Sequence, residues 1–148
     1  MIGKKGMKIL RGIPASPGVA DGDVHQLTSG EFKVPRYWIN QNEIKEEVER
    51  LQAAVERSKE QLKSIRDKLC RFEGKEQIAV LDSHILMLED QMLVNNAIET
   101  VRKEKLNAEW AVKKNLDKIK GAFSHIDEDY YKERIKDVDY VSQRVIKN

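Results

Sequence analysis

The uneven placement of glycine and proline constrains the fold of this chain more than any other feature. All three prolines and six of the eight glycines precede residue 36, and only Gly74 and Gly121 follow it. Both residue types interrupt helices and mark turns, and proline also removes a backbone donor. Residues 1–35 are therefore predicted to form short strands and loops, and residues 36–148 to be mainly helical.

The first predicted helix carries a long apolar stripe. Apolar residues recur at alternating steps of four and three between residues 44 and 72, with Ser58 as the polar interruption. The stripe comprises Ile44, Val48, Leu51, Val55, Leu62, Ile65, Leu69 and Phe72. Asn40 and Glu43 have the spacing of a capping box, which predicts the start of the helix. Gly74 is predicted to end it as a left-handed C-cap.

Three more amphipathic segments follow. The second covers about residues 75–103, and its acidic Glu89–Asp90 pair suits the first turn of a new helix, where the macrodipole favours anions. We therefore expect a kink or a two-part helix at residues 89–93. A third helix is predicted to begin at Asn107 and a fourth at residues 127–129. Short connections make consecutive helices neighbours, so the sequence predicts an antiparallel four-helix bundle with a kinked second helix.

The apolar stripe of the first helix leaves a second interpretation open. A heptad repeat also occurs in coiled coils between chains, so the protein could be a non-catalytic helical scaffold or a dimerisation module. However, the stripe spans one helix in a set of amphipathic helices, and this favours packing within the bundle.

Composition excludes several classes of partner. The 27 basic and 25 acidic residues are interleaved, and because no basic stripe is visible we expect no nucleic-acid partner. No apolar run approaches the roughly 20 residues that cross a bilayer, so no membrane association is expected. Cys70 is the single cysteine. It has neither a disulfide partner nor metal-ligand spacing around it, which predicts a cytoplasmic protein without a metal site.

The chain contains no recognised catalytic motif, and His84 is its most informative histidine. On an ideal helix, His84 aligns with Val80, Met87 and Gln91, about 100° from the main apolar stripe. This second face could pack on another helix, with His84 as a hydrogen-bonded neighbour. It could also be a docking surface, since exposed apolar residues rimmed by charge mark partner sites and methionine adapts to incoming surfaces. Spacing alone does not distinguish the two.

Three segments resemble one known family. Residues 12–20, with the sequence GIPASPGVA, are similar to the opening motif of Enzyme I of the sugar phosphotransferase system and of its nitrogen-related paralogue. Residues 82–90, DSHILMLED, resemble the docking-helix segment of that family. Residues 129–134, DYYKER, and Asp137-Val138 resemble a later segment. The three occur in the order of the family and at compatible spacing.

The resemblance implies a phosphotransferase. Enzyme I transfers a phosphoryl group from phosphoenolpyruvate to a histidine of an α/β domain and then to the small carrier protein HPr. Residues 1–35 would supply the first strands of the incomplete α/β phosphohistidine domain, and residues 36–148 the helical domain that binds HPr. The phosphorylated histidine and the phosphoenolpyruvate site are expected beyond Asn148. This chain alone would then be inactive and contain no catalytic residue. Magnesium and a homodimer through the missing C-terminal domain are implied for the intact enzyme.

The resemblance also implies which residues contact the carrier, with His84 as a contact residue and not as the phosphoryl acceptor. The expected contacts are Glu76, Ala79, His84, Leu86, Met87, Asp90, Gln91, Met92, Phe123, Tyr131 and Arg134. Family members commonly have acidic residues where this chain has Lys75, Gln91 and Met92. Because exposed rim charges act mainly on association rate, their loss should weaken steering of a basic carrier more than burial. The cognate carrier could therefore be less basic at its rim, or it could belong to the nitrogen-related branch.

Overall fold

A computed structural model describes residues 11–13, 17–24, 33–71, 75–123 and 129–148. The chain divides into two compact units, Met1–Glu31 and Phe32–Asn148. We call these the N-terminal unit and the helical unit.

The described part of the N-terminal unit consists of residues 11–13 and 17–24, which are exposed and contain neither a strand nor a helix. Gly18 adopts φ +119°, a conformation that glycine reaches without steric cost. The other positions at which the sequence predicts strands in this unit lie outside the described residues.

The helical unit is mainly α-helical, as predicted. A short 3-10 turn, Gln41–Glu43, leads into five helices: α1 (Ile44–Leu69), α2 (Lys75–Glu89), α3 (Gln91–Glu104), α4 (Ala108–Phe123) and α5 (Asp129–Lys147). Within the described residues the only β-type pairing is an isolated antiparallel bridge between Trp38 and Leu106.

The predicted capping box starts the 3-10 turn that leads into α1, and α1 buries part of the predicted stripe, whereas Ile65 in it is 37% exposed. The Glu43 carboxylate accepts the backbone N–H of Asn40 at 2.6 Å. The stripe residues Val48, Leu51, Val55 and Leu62 are buried in the core. Ser58 is also fully buried, and its hydroxyl donates to the Ala54 carbonyl at 2.8 Å, so the polar interruption satisfies its own donor inside the stripe. The helix ends at Leu69, and the predicted cap Gly74 lies outside the described residues.

Two helices occupy the second amphipathic segment, and Asp90 is the single residue between them. The Asp90 backbone N–H donates to the Leu86 carbonyl at 3.0 Å, so the hydrogen-bond pattern of α2 extends to this residue. The Asp90 carbonyl then accepts the N–H of Leu93 at 3.2 Å in the first turn of α3. Helix α2 contacts α1 and α5, whereas α3 contacts α1 and α4.

Ion pairs join neighbouring helices, and those between α1 and α2 show that these two helices run in opposite directions. Between α1 and α2, Lys63 pairs with Glu89 at 3.9 Å and Arg66 with Asp82 at 3.4 Å. Between α4 and α5, Lys120 pairs with Asp139 at 3.1 Å. The common core includes residues from all five helices, among them Leu62, Leu88, Val101, Ala111 and Val141. In the described part of the chain, no helix has the length and apolar character that a bilayer crossing requires.

Candidate functional site

Helix α2 has one buried side and exposed apolar residues away from it. Ile85 and Leu88 belong to the core, and Leu88 is only 1% exposed. Away from the core, Leu86 is 65% exposed and Val80 is 51% exposed, and the two point about 120° apart around the helix axis. Met87 is partly buried and packs against the core, so the face predicted to hold Val80 and Met87 together is divided. The exposed apolar side chains of α2 are therefore Val80 and Leu86, next to exposed Ala79.

Two polar contacts join α2 to α5. The Nε2 atom of His84 lies 3.2 Å from Oδ1 of Asp137, and the Arg134 guanidinium donates to the Ser83 hydroxyl at 3.1 Å. The His84 side chain is 13% exposed and that of Asp137 is 29% exposed. His84 is therefore mostly covered and held by a carboxylate from the neighbouring helix. We call Val80, Leu86 and these two contacts together the α2–α5 surface.

Grooves border this surface on both sides of α5. One, of about 560 Å³, lies between α1, α2 and α5 and is lined by Gln61, Leu81, His84, Tyr140 and Arg144 among others. A smaller one, of about 180 Å³, includes Met87, Asp90, Ile119 and Val138. Each groove has apolar and polar side chains together.

An aromatic stack joins the end of α4 to the start of α5. The rings of Phe123 and Tyr131 have centroids 5.7 Å apart and an interplanar angle of 22°. Both residues are half-buried, while Arg134 one turn further along α5 is exposed. This stack fixes the end of α5 that carries Arg134, because offset aromatic pairs have a preferred geometry.

The structure places the predicted contact residues on four helices, α2 to α5, and at the joint between α2 and α3. Ala79, His84, Leu86 and Met87 lie on α2, and Asp90 follows it directly. Phe123 ends α4, and Tyr131 and Arg134 lie in the first turns of α5. Glu76, Gln91 and Met92 belong to α2 and α3 by their backbone, and their side chains lie outside the described residues.

Ser83 and Asp137 take part in the cross-helix contacts, and the sequence analysis did not assign either of them to the site. Both lie within the segments that carry the family resemblance. Their partners are 51 and 53 residues away along the chain, so helical spacing offers no signal for the contact.

A second group of polar residues lies where α1 and α4 begin. Arg50 donates to both oxygens of Glu109, at 2.6 and 2.8 Å, and to Glu47. Glu47 also accepts the backbone N–H of Ala108 at 2.6 Å. The Asn107 side chain donates to Glu109 at 2.8 Å. We call Glu47, Arg50, Asn107 and Glu109 the linker-anchoring cluster.

The cluster holds the segment that precedes α1. Asn107 accepts the backbone N–H of Tyr37 at 3.1 Å and donates to the Pro35 carbonyl at 3.0 Å. Next to it, the Arg36 guanidinium lies 5.3 Å from the ring centroids of both Trp38 and Trp110, a distance typical of cation–π contacts. Residues 35–38 are thereby fixed to the start of α4.

Hydrogen bonding controls the electrostatics of this cluster. Burial by itself would raise the pKa of Glu109, but hydrogen bonds from Arg50 and Asn107 outweigh it and lower the pKa to about 2. Hydrogen bonds to Glu109 and Glu47 raise the pKa of the Arg50 guanidinium. Burial, assisted by the nearby Glu109 and Glu47 carboxylates, raises the pKa of Tyr37. Arg50 and Glu109 are therefore ionised at neutral pH. Within the described residues, no group of three or more His, Cys, Asp or Glu side chains is arranged to hold a metal ion.

Comparison with known proteins identifies relatives over nearly the whole sequence. The sequence profile of the family described as PEP-utilising enzyme, N-terminal, matches residues 11–134. The phosphoenolpyruvate-protein phosphotransferase of Cupriavidus necator is 34% identical over 138 residues, which cover 93% of this chain and 24% of that protein. Its counterpart in Haemophilus influenzae is 34% identical over 140 residues, covering 95% and 24%. That of Bacillus subtilis is 32% identical over 139 residues, covering 94% and 24%.

The fold has a solved counterpart as well. An NMR solution structure of Enzyme I superimposes with a TM-score of 0.73 over 79% of this chain and 47% of that one, at 23% sequence identity. The chain spans about a quarter of the length of the curated relatives that it matches. With a profile match over most of its length and relatives above 30% identity, the chain belongs to the N-terminal domain family of the PEP-utilising enzymes and is related there to the phosphoenolpyruvate-protein phosphotransferases.

Proposed function

We propose that this chain is the carrier-docking part of an Enzyme I, and that residues 36–148 bind an HPr-like phosphocarrier protein through the α2–α5 surface. Residues 1–35 would contribute the first strands of an α/β phosphohistidine domain. The observation that carries the proposal is the exposure of Val80 and Leu86 on α2, beside polar side chains that α5 holds in place.

The arrangement suits recognition of a small protein. Interfaces combine an apolar centre, which supplies burial, with a polar rim that steers the partner and fixes its register. Val80 and Leu86 provide apolar area, and Arg134 and Asp90 are exposed polar residues near them. In the intact enzyme, a carrier held in this way would have its histidine presented to the phosphohistidine, and this is catalysis by positioning.

The remaining features of an Enzyme I belong to the same proposal. His84 acts as a contact residue through the part of its ring that borders the groove between α1, α2 and α5, while its Nε2 faces Asp137. Phosphoryl transfer, the magnesium that it needs and assembly into a homodimer would reside in the rest of the parent protein. We place that parent in the cytoplasm and in the sugar or the nitrogen branch of the phosphotransferase system.

Titration of the ¹⁵N-labelled chain with HPr and with the nitrogen-branch carrier tests the docking proposal. Chemical-shift changes are expected around residues 84–92 and 131–134, because these residues form the proposed contact. Val80→Ala should weaken binding, since it removes apolar area from the interface. Val24→Ala is the matched control, because Val24 is an exposed valine in the N-terminal unit. Unchanged spectra with both carriers would refute docking at this surface.

Incubation with phosphoenolpyruvate and magnesium tests the assignment of His84. We expect the chain to acquire no phosphate, because in this proposal the phosphorylated histidine and the phosphoenolpyruvate site belong to the rest of the parent protein. Mass spectrometry after the incubation provides the measurement, and a phosphorylated His84 would contradict the proposal.

The rival function, dimerisation through the α1 stripe, finds little support in the packing. Val48, Leu51, Val55 and Leu62 are buried within one chain, so an intermolecular coiled coil would have to unpack them. Sedimentation velocity over a range of concentrations should therefore detect a monomer, and a dimer that forms with increasing concentration would favour the rival.

A further inference from the structure

The contact between His84 and Asp137 determines where the imidazole carries its proton. An ionised carboxylate can only accept hydrogen bonds, so the Nε2 atom that lies 3.2 Å from Asp137 Oδ1 must be the protonated one. In the neutral ring, the other nitrogen, Nδ1, is then an acceptor. Within the described part of the chain, Asp137 is the single hydrogen-bond partner of the ring.

We infer that Asp137 is a positioning residue for partner recognition: it fixes His84 as the Nε2–H tautomer, so that Nδ1 accepts a hydrogen bond from an N–H or O–H donor of the carrier. This inference rests on the proposed docking function. The ring borders the groove between α1, α2 and α5, where a partner side chain can approach it. Asp137 lies on α5, a different helix from His84, so it orients the ring independently of the exposed apolar residues of α2.

An acceptor at Nδ1 would select among partners by the hydrogen-bonding group that each places opposite it. An acceptor at Nδ1 favours a partner with a lysine, arginine, hydroxyl or backbone N–H at this point of the interface. It disfavours a partner that presents a carboxylate or a carbonyl there, because two facing acceptors leave each other's polar atoms unsatisfied.

The first test is the tautomer itself, measured from the ¹⁵N chemical shifts of the histidine ring nitrogens at a pH where those shifts report a neutral ring. The wild-type chain should have a protonated Nε2 and an unprotonated Nδ1 at His84. Asp137→Asn should acquire a measurable Nδ1–H population, since an amide can donate to Nε2. Asp137→Glu should restore the Nε2–H form in part. A wild-type ring protonated at Nδ1 would overturn the inference.

The second test is affinity for HPr, measured by calorimetry on the full chain. Asp137→Asn should bind about threefold to tenfold more weakly than wild type, the range expected for one hydrogen bond. Asp139→Asn is the matched control: Asp139 lies on the same helix, is similarly exposed at 32% against 29%, and pairs with Lys120. It removes the same charge from α5, so any loss of long-range steering is common to both variants.

A third variant distinguishes the loss of the Nδ1 acceptor from a loss of folding stability. In His84→Gln, the side-chain amide can still donate to Asp137, but its one acceptor, Oε1, does not occupy the position of Nδ1. It should melt within a few degrees of wild type and bind HPr as weakly as Asp137→Asn. Binding of both variants as tight as that of Asp139→Asn would overturn the inference and leave the docking proposal standing. Absence of HPr binding by the wild-type chain would overturn both.

Discussion

The linker-anchoring cluster and the α2–α5 surface are both built from polar contacts between helices, yet they differ in the number of hydrogen bonds that each side chain makes. In the cluster, Arg50 joins two carboxylates, and Glu47 and Asn107 each hold backbone groups as well. At the α2–α5 surface, the described contacts include His84 with Asp137 and Arg134 with Ser83, each a single contact. Exposed apolar side chains occur at both places, as Val80 and Leu86 on α2 and as Trp38 in the segment that the cluster holds.

The difference indicates distinct physical roles. Side chains that share several charged hydrogen bonds have little freedom to exchange partners, because breaking one bond leaves a charge unsatisfied. The cluster therefore fixes the entry of the chain into the helical unit. A surface held by single contacts and bearing exposed apolar area can instead accept a partner without first losing a network.

The largest expected effect distinguishes the buried and exposed sides of α2. Leu88→Ala should lower the free energy of unfolding by about 2–5 kcal/mol, since it opens a cavity at a residue that is 1% exposed. Leu86→Ala, on the same helix and 65% exposed, should change it by less than about 0.5 kcal/mol. Urea unfolding of both variants measures the contrast, and similar losses would mean that α2 has no free side.

Removal of Arg50 should have the next largest effect. Arg50→Ala leaves the carboxylates of Glu47 and Glu109 without their shared cation, and we expect a loss of about 1–3 kcal/mol in urea unfolding. Lys45→Ala is the control, because its 3.8 Å pair with Glu49 is exposed and contributes at most a few tenths of a kcal/mol. If the two variants were equally stable, the cluster would be no stronger than a surface ion pair.

The smallest expected effect is on the pH dependence of folding stability. The pKa of Glu109 is about 2 in the folded chain against its usual 4.5, so its ionised form stabilises the fold at neutral pH and this contribution disappears as the pH falls from 4.5 towards 2. Glu109→Gln should cost about 1–2 kcal/mol at pH 7, allowing for solvent screening. The difference from wild type should shrink through that window. Thermal melts of both proteins at several pH values measure it, and a constant difference would contradict the assignment.

Much of the helical unit could be predicted from the sequence because its signals are local. The spacing of the α1 stripe and the Asn40–Glu43 capping box depend on neighbouring residues, and the structure has both. By contrast, the pairing of His84 with Asp137 depends on how two distant helices pack, which periodicity does not contain. The same holds for Val80 and Met87, which align on an ideal helix but differ in burial because α5 and the core cover only Met87. The carrier contacts attributed to all of the predicted contact residues stay predictions, and the side chains of Glu76, Gln91 and Met92 lie outside the described residues.

The single-residue joint at Asp90 gives α2 and α3 partly different neighbours, since both pack on α1 but α2 also packs on α5 and α3 on α4. In an uninterrupted rod, any change in tilt at one end would be transmitted to the other. Because the two helices are separated at Asp90, substitutions in α2 can change its contacts with α5 while α3 keeps its packing on α4. The break at Asp90 thereby allows the sequence of α2 to vary with its partner while the sequence of α3 stays constrained by the core.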